Sequence, residues 1–197
     1  MSTILSLDIA LANTGVAVYE YVSNEQDFDI VPTEGFMFSS KAIPKKLPKG
    51  SYRAFESLGR YAEYFSKLLQ TFMEYSPKLV FAEISSASQS ATASAALAAA
   101  NASLGAVTQI FDRVEYVWVS QNQVKKAILS DGKASKKEII NAAFQAAPKL
   151  FENYLSNRKT DKGEPLAKSE HIADAYAVYL AGINTLSEKE IRAIMET

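Results

Sequence analysis

The chain has 197 residues, of which 48% are hydrophobic, 22% charged and 11% aromatic; that supplies a full core for one folded domain, residues 1–197, and excludes a disordered or low-complexity chain. It has no cysteine, which excludes a disulfide scaffold, a thiolate zinc site and a cysteine nucleophile. The net charge of −1 excludes a general nucleic-acid coat protein, but the cations are clustered. Lys41, Lys45, Lys46, Lys49, Arg53 and Arg60 form one group, Lys125, Lys126, Lys133, Lys136 and Lys137 a second, and Arg158, Lys159, Lys162 and Lys168 a third. Such clusters suit phosphate contacts, or simply a solvated lysine-rich surface. The start, MSTILSLDIALANTG, places an acid inside its apolar stretch with no basic region before it, so no secretory leader is expected. The Ala-rich stretch from Ala91 to Ala102 is too short and too weakly hydrophobic to span a bilayer. A soluble, intracellular protein is expected.

In chain order, residues 3–9 (ILSLDIA) read as a buried strand, bounded by Asn13-Thr14-Gly15. Residues 15–21 form a second strand after a tight turn. Residues 27–38 form a third, weakened or bulged by Pro32 and Gly35. Residues 39–50, with Pro44, Pro48 and Gly50 among lysines, form a loop. Phe55, Leu58, Tyr61, Tyr64, Phe65, Leu68, Leu69 and Phe72 recur at helical spacing, so an amphipathic helix runs from Ser51 to just before Pro77. A strand at 79–84, a long Ala/Ser helix from Ser85 to about Asp112 and a strand at 114–119 follow. A short helix spans 121–129 and ends at Asp131-Gly132. Ser135 and Glu138 form a capping box for a helix over 135–147, stopped by Pro148. Residues 149–169 read as polar and irregular. Ser169 is expected to cap a helix to about Gly182, and Ser187 to start a terminal one. Three strands in a meander followed by alternating helices and strands predict an α/β fold. It is a mixed five-stranded sheet, three antiparallel strands then parallel ones, with helices on both faces.

Three acids stand in apolar surroundings. Asp8 and Glu83 lie on strands, and Asp174 on a helix among Ile172, Ala173, Ala175, Ala177 and Val178. A carboxylate so placed is costly unless paired, hydrogen-bonded or metal-bound. His171, the sole histidine, precedes Asp174 by three residues and shares its helical face. Each has a plainer reading: Asp8 as cap of the turn at Asn13 to Gly15, Glu83 as cap of the next helix, His171 and Asp174 as a surface pair. Together they are a donor set for hard divalent cations, Mg²⁺ or Mn²⁺, with the imidazole favouring Mn²⁺. Two such ions about 4 Å apart suit phosphodiester hydrolysis.

The segment DIALANTGVAV, Asp8 to Val18, resembles the first motif of RuvC-type Holliday junction resolvases, nucleases of the RNase H-like superfamily: a strand aspartate followed seven residues later by glycine. FAEI, Phe81 to Ile84, resembles the second acidic strand. Gln123 to Ile140 resembles the family's Val-Lys, Gly and Ala-x-Lys stretch, and HIADAYA, His171 to Ala177, its last motif. The resemblance runs in order along nearly the whole chain. It implies a divalent-metal endonuclease acting on four-way or related branched DNA, with Asp8, Glu83, His171 and Asp174 as metal ligands. It also implies Lys125 and Lys136 near the scissile phosphate, and a homodimer through the Ala-rich helix 87–103. Glu170, four residues before Asp174 on the same face, is a substitute ligand for His171. The chain departs from the family in three places. Asp8-Ile9-Ala10 stands for Asp-Pro-Gly, Ser86 holds the position of the aromatic wedge of bacterial members, and the insert at 41–50 is long. These departures suit a divergent member from a virus or organelle, working in the cytoplasm (a host's, for a virus) or another compartment with DNA.

The expected mechanism places the ions at the sheet edge, with the basic segments 41–60 and 158–168 tracking the junction arms. Three alternatives stay open: a structure-specific DNA-binding protein with weak or lost nuclease activity, an RNA–DNA hybrid nuclease, and an actin-like ATPase fold. The last lacks room for a second lobe and a second glycine-rich phosphate motif.

Overall fold

A computed structural model describes residues 2–24, 27–41, 49, 53–84, 91–129, 135–153 and 169–197. Several expectations lie outside the described residues. They concern Lys45, Lys46, Lys133, Arg158, Lys159, Lys162, Lys168 and Ser86, the turn at Asp131-Gly132, and the first residues of the Ala/Ser helix.

The strands are β1 (Ser2–Asp8), β2 (Thr14–Ser23), β3 (Phe28–Phe38), β4 (Pro77–Ile84) and β5 (Glu115–Ser120). They form the expected mixed sheet in the order β3-β2-β1-β4-β5. β1–β2 and β2–β3 are antiparallel; β1–β4 and β4–β5 are parallel. Pro32 lies on an edge strand beside the bulge, where a residue without an N–H is tolerated. The bulge foreseen near Pro32 is there: Val18 faces Glu34 and Tyr19 faces Pro32, so Thr33 is the extra residue. β4 starts two residues earlier than expected, at Pro77, directly after Ser76 has left the preceding helix with φ 43°.

Alternation along the strands splits the core in two. Leu5, Leu7, Val16, Val18, Val80 and Ala82 face α1 (Arg53–Tyr75) and α2 (Ala91–Ile110), which contribute Tyr64, Leu68, Phe72, Ala100, Leu104 and Val107. Ile4, Ala17, Tyr19, Leu79, Phe81 and Val119 face the other side. That side carries α3 (Gln121–Leu129), α4 (Lys136–Ala146), α5 (Glu170–Ile183) and α6 (Glu188–Glu196). No helix among the described residues is long and apolar enough to cross a membrane.

The helix boundaries follow their caps. Ser135 with Glu138, and Ser187 with Glu190, form complete capping boxes. Ser169 occupies the position before α5, but its side chain makes no capping bond and is fully buried. Overlapping the start of the stretch read as irregular, Pro148–Phe151 form a 3-10 turn that buries Leu150 and Phe151.

α5 is the central helix of its layer, burying Ile172, Ala173, Ala175, Ala177, Val178, Ala181 and Gly182. It lies unusually close to the sheet. A Cβ on Gly15 of β2 would stand 1.8 Å from the His171 carbonyl oxygen, and one on Gly182 would stand 2.1 Å from the Phe81 ring. Ser6 Oγ on β1 donates a buried hydrogen bond of 2.7 Å to the Ala175 carbonyl. These approaches fix the start of α5 against the ends of β1 and β2.

Candidate active site

β1 and β4 are parallel neighbours, so their carboxyl ends lie side by side. Asp8 is the last residue of β1 rather than a mid-strand residue, and Glu83 is the last but one of β4. The acids therefore stand at the middle of the sheet, not at its edge as expected. Strand carboxyl ends are where open α/β sheets leave a crevice for ligands. Asp8 is paired with Gly15 across the hairpin, and Gly15 is the residue that admits the His171 backbone. The seven-residue spacing of the first motif is thus the spacing that brings His171 to Asp8.

His171 Nδ1 and Asp8 Oδ2 are 3.0 Å apart. One ligand atom from each of Asp8, His171 and Asp174 lies within 4.8 Å of the others, the only such trio among the described residues. Glu83 lines the same cleft without joining that trio. The cleft, about 490 Å³, is also lined by Lys125, Lys136 and Glu170. Every site residue expected from the sequence therefore lines one cavity. Gln121, at the carboxyl end of β5, lines it too and was not foreseen; its signal is its place directly after the third parallel strand.

Two of these residues have specific partners; the reading of Glu83 as a helix cap falls on residues outside those described. The turn after Asp8 is held by Thr14, whose Oγ1 accepts from the Ala10 N–H at 3.3 Å and donates to the Ala10 carbonyl at 2.9 Å. Asp8 is left to face His171. Glu170 is gripped by Lys136, with Nζ at 3.1 and 3.2 Å from its two oxygens, and its nearer oxygen is 4.0 Å from His171 Nε2. His171 is thus the third member of the trio by geometry, and Glu170 sits beside it paired with Lys136.

The electrostatics are those of acids crowded together without enough positive charge. Burial pushes the Glu83 carboxyl up to about 7, Asp8 adds to the shift, and Lys125 opposes it. Burial and the Asp8 charge push Asp174 up to about 7 as well, against His171. His171 is raised from its ordinary value by its hydrogen bond to Asp8, against the effect of burial. Lys136 is raised by Glu170. A divalent cation would relieve this crowding. The donor set of two carboxylates and one imidazole, with no sulfur, suits Mg²⁺ or Mn²⁺.

No family model and no curated protein matches the chain. Its fold is the RNase H-like fold in the form shared by RuvC and related Holliday junction resolvases. The structure of T. thermophilus RuvC in complex with a Holliday junction substrate is similar at a TM-score of 0.62, with 16% identity over 92% of each chain. The yeast mitochondrial Holliday junction resolvase Ydc2 is similar at 0.56, with 14% identity over 93% of this chain and 81% of its own. The fowlpox virus resolvase in complex with substrate Holliday junction DNA is similar at 0.54, with 13% identity over 93% and 99%. At these identities the likeness is one of fold.

Proposed function

We propose that this chain is a divalent-metal-dependent endonuclease that resolves four-way DNA junctions by phosphodiester hydrolysis. The observation that best supports this reading is the gathering of Asp8, His171 and Asp174 beside Glu83 in one cleft. It stands on a fold shared across more than nine-tenths of the chain with proteins solved on junction DNA. Asp8, Glu83, His171 and Asp174 would hold two Mg²⁺ or Mn²⁺ ions. Bound there, such ions supply an activated water and stabilise the leaving oxygen.

The chain's own groups do the rest. Lys125 and Lys136 offer cations to the phosphate being cut, and a phosphate reaching Lys136 competes with Glu170 for it. Ile9, Leu97, Val124 and Ile128 line the cleft and exclude bulk water from one side of it. The basic segments 41–60 and 158–168 track the arms by phosphate contacts, reading shape rather than bases. Arg60 donates its Nε to Ser40 Oγ at 2.8 Å and keeps its charge for the same role. The chain works as a single nuclease domain in a compartment that holds DNA. It pairs with a second copy through α2, whose outward residues Ala91, Ala95, Ala98 and Ala102 are small and exposed.

The test is cleavage of a synthetic four-way junction beside linear duplex, a flap and an RNA–DNA hybrid, with Mg²⁺, Mn²⁺ or EDTA. Paired nicks in the junction that vanish with EDTA are expected, and Asp8→Asn should bind the junction but not cut it. Cleavage of only flaps or hybrids would reassign the substrate. Junction binding without cleavage of any substrate would replace the nuclease with a DNA-binding protein.

A further inference from the structure

α1 buries an apolar side against the sheet, yet it also carries a polar stripe at Arg60, Glu63, Tyr64 and Lys67. This spacing puts all four on one face. The stripe grips two separate stretches of chain. The first is the turn after Asp8. Thr14 Oγ1 has a single hydrogen and gives it to the Ala10 carbonyl, so Tyr64 OH, 3.0 Å away, donates to Thr14. Arg60 Nε donates to Ser40 Oγ, and Ser40 Oγ donates in turn to the Leu11 carbonyl. The second stretch is the exit of β3. Lys67 Nζ donates to the Ser39 carbonyl at 2.5 Å and to Glu63 at 2.7 Å, and Glu63 accepts the Lys41 N–H at 3.2 Å.

Three of the hydroxyls are deeply buried: Thr14 and Tyr64 at 0% exposure and Ser40 at 6%. Buried hydroxyls add little to a core that Leu5, Leu7, Leu68 and Phe72 already fill. Here each is bonded, and the two chains of bonds end on Ala10 and Leu11, two and three residues past Asp8. Ile9 and Ala10 are themselves walls of the cleft.

We propose that Arg60 and Tyr64 are positioning residues, acting through Ser40 and Thr14 to clamp the Ile9–Asn13 turn behind Asp8. The same helix face holds Lys41, the first cation beyond β3, in fixed relation to that turn. A DNA phosphate met by Lys41 and the phosphate cut at Asp8 are thereby kept a set distance apart, so the clamp determines which phosphate is cut. This consequence rests on the nuclease reading; the clamp itself does not.

The experiment uses Tyr64→Phe and Ser40→Ala, singly and combined, with Thr14→Ser as the variant that keeps its hydroxyl. Hydrogen exchange is read on the metal-free protein, and junction cleavage is read in single turnover. The combined variant should exchange about tenfold faster across residues 9–13, with the rest of the sheet unchanged. Its junction affinity should hold, its cleavage rate should fall about tenfold, and its nicks should spread to neighbouring phosphates. Thr14→Ser should behave as wild type. Unchanged exchange across 9–13 overturns the clamp, whether or not the chain cuts junctions. Faster exchange over the whole sheet also overturns it, because the bonds would then be general core support. Faster local exchange with wild-type rate and nick position overturns the positioning role. A wild-type chain that cuts nothing sinks the nuclease reading, while the exchange result still decides the clamp.

Discussion

Asp8 raises the proton affinity of Glu83 and Asp174, while its own carboxylate faces His171. Folded Glu83 and Asp174 keep a proton up to about pH 7, whereas the unfolded chain releases it in the ordinary carboxylate range. The folded state therefore binds more protons across that window, and stability falls as pH rises through it. His171 acts in the same direction. Its raised affinity stabilises the fold fully below the ordinary histidine value and is lost as pH rises through the higher folded value. The metal-free protein should melt lower at pH 8 than at pH 5 by several degrees, at roughly 2–4 °C for each kcal/mol lost. Mn²⁺ needs deprotonated ligands, so it should raise the melting point more at pH 8 than at pH 5. A flat profile in both conditions would count against the crowded-acid description. Asp8→Asn removes the charge that the other acids resist. Its metal-free form should melt above wild type at pH 8, and its response to Mn²⁺ should disappear.

At the scale of elements, α5 depends on Gly15. A methyl group there meets backbone, which cannot rotate aside. Gly15→Ala should destabilise the fold by about 1–3 kcal/mol in a denaturant titration and weaken Mn²⁺ binding, because His171 must move with its helix. Wild-type metal affinity in that variant would separate the packing from the site. Much of the element pattern is legible in the sequence, because strand alternation and the capping boxes at Ser135 and Ser187 are local signals. The 3-10 turn is not, because Leu150 and Phe151 read as an apolar pair in a polar stretch. What orders them is Gly35, whose Cβ position is 2.2 Å from the Leu150 carbonyl and far away in sequence. The motif acids and His171 are legible from their surroundings. Their place at mid-sheet is not, because β4 inserting beside β1 leaves no local trace. The Tyr64–Thr14 pair reads in sequence as helix periodicity and turn chemistry, with nothing to join the two.

At the scale of the whole molecule, charge and its absence divide the surface. α2 carries no charged residue along its twenty positions, so salt should leave the proposed pairing through it largely intact. The proposed binding to junction arms through lysines should weaken steeply as salt rises. Sedimentation at micromolar concentration should give twice 21.6 kDa at both low and high salt, while junction affinity drops. A chain that stays monomeric would remove α2 from the interface.

The hydrogen-bonded pair at the centre of the cleft, Asp8 and His171, is separated by 163 residues of chain, and that distance is also a delay. At about 5–20 residues per second, a ribosome needs roughly 10–30 s to travel it. Throughout that time the nascent chain displays Asp8, then Glu83, without the residues that gather beside them in the cleft. On the proposed function, a message cut short or a stalled ribosome would yield an incomplete site rather than an unregulated nuclease. His171 and Asp174, translated after Asp8 and Glu83, are the residues that complete the cluster.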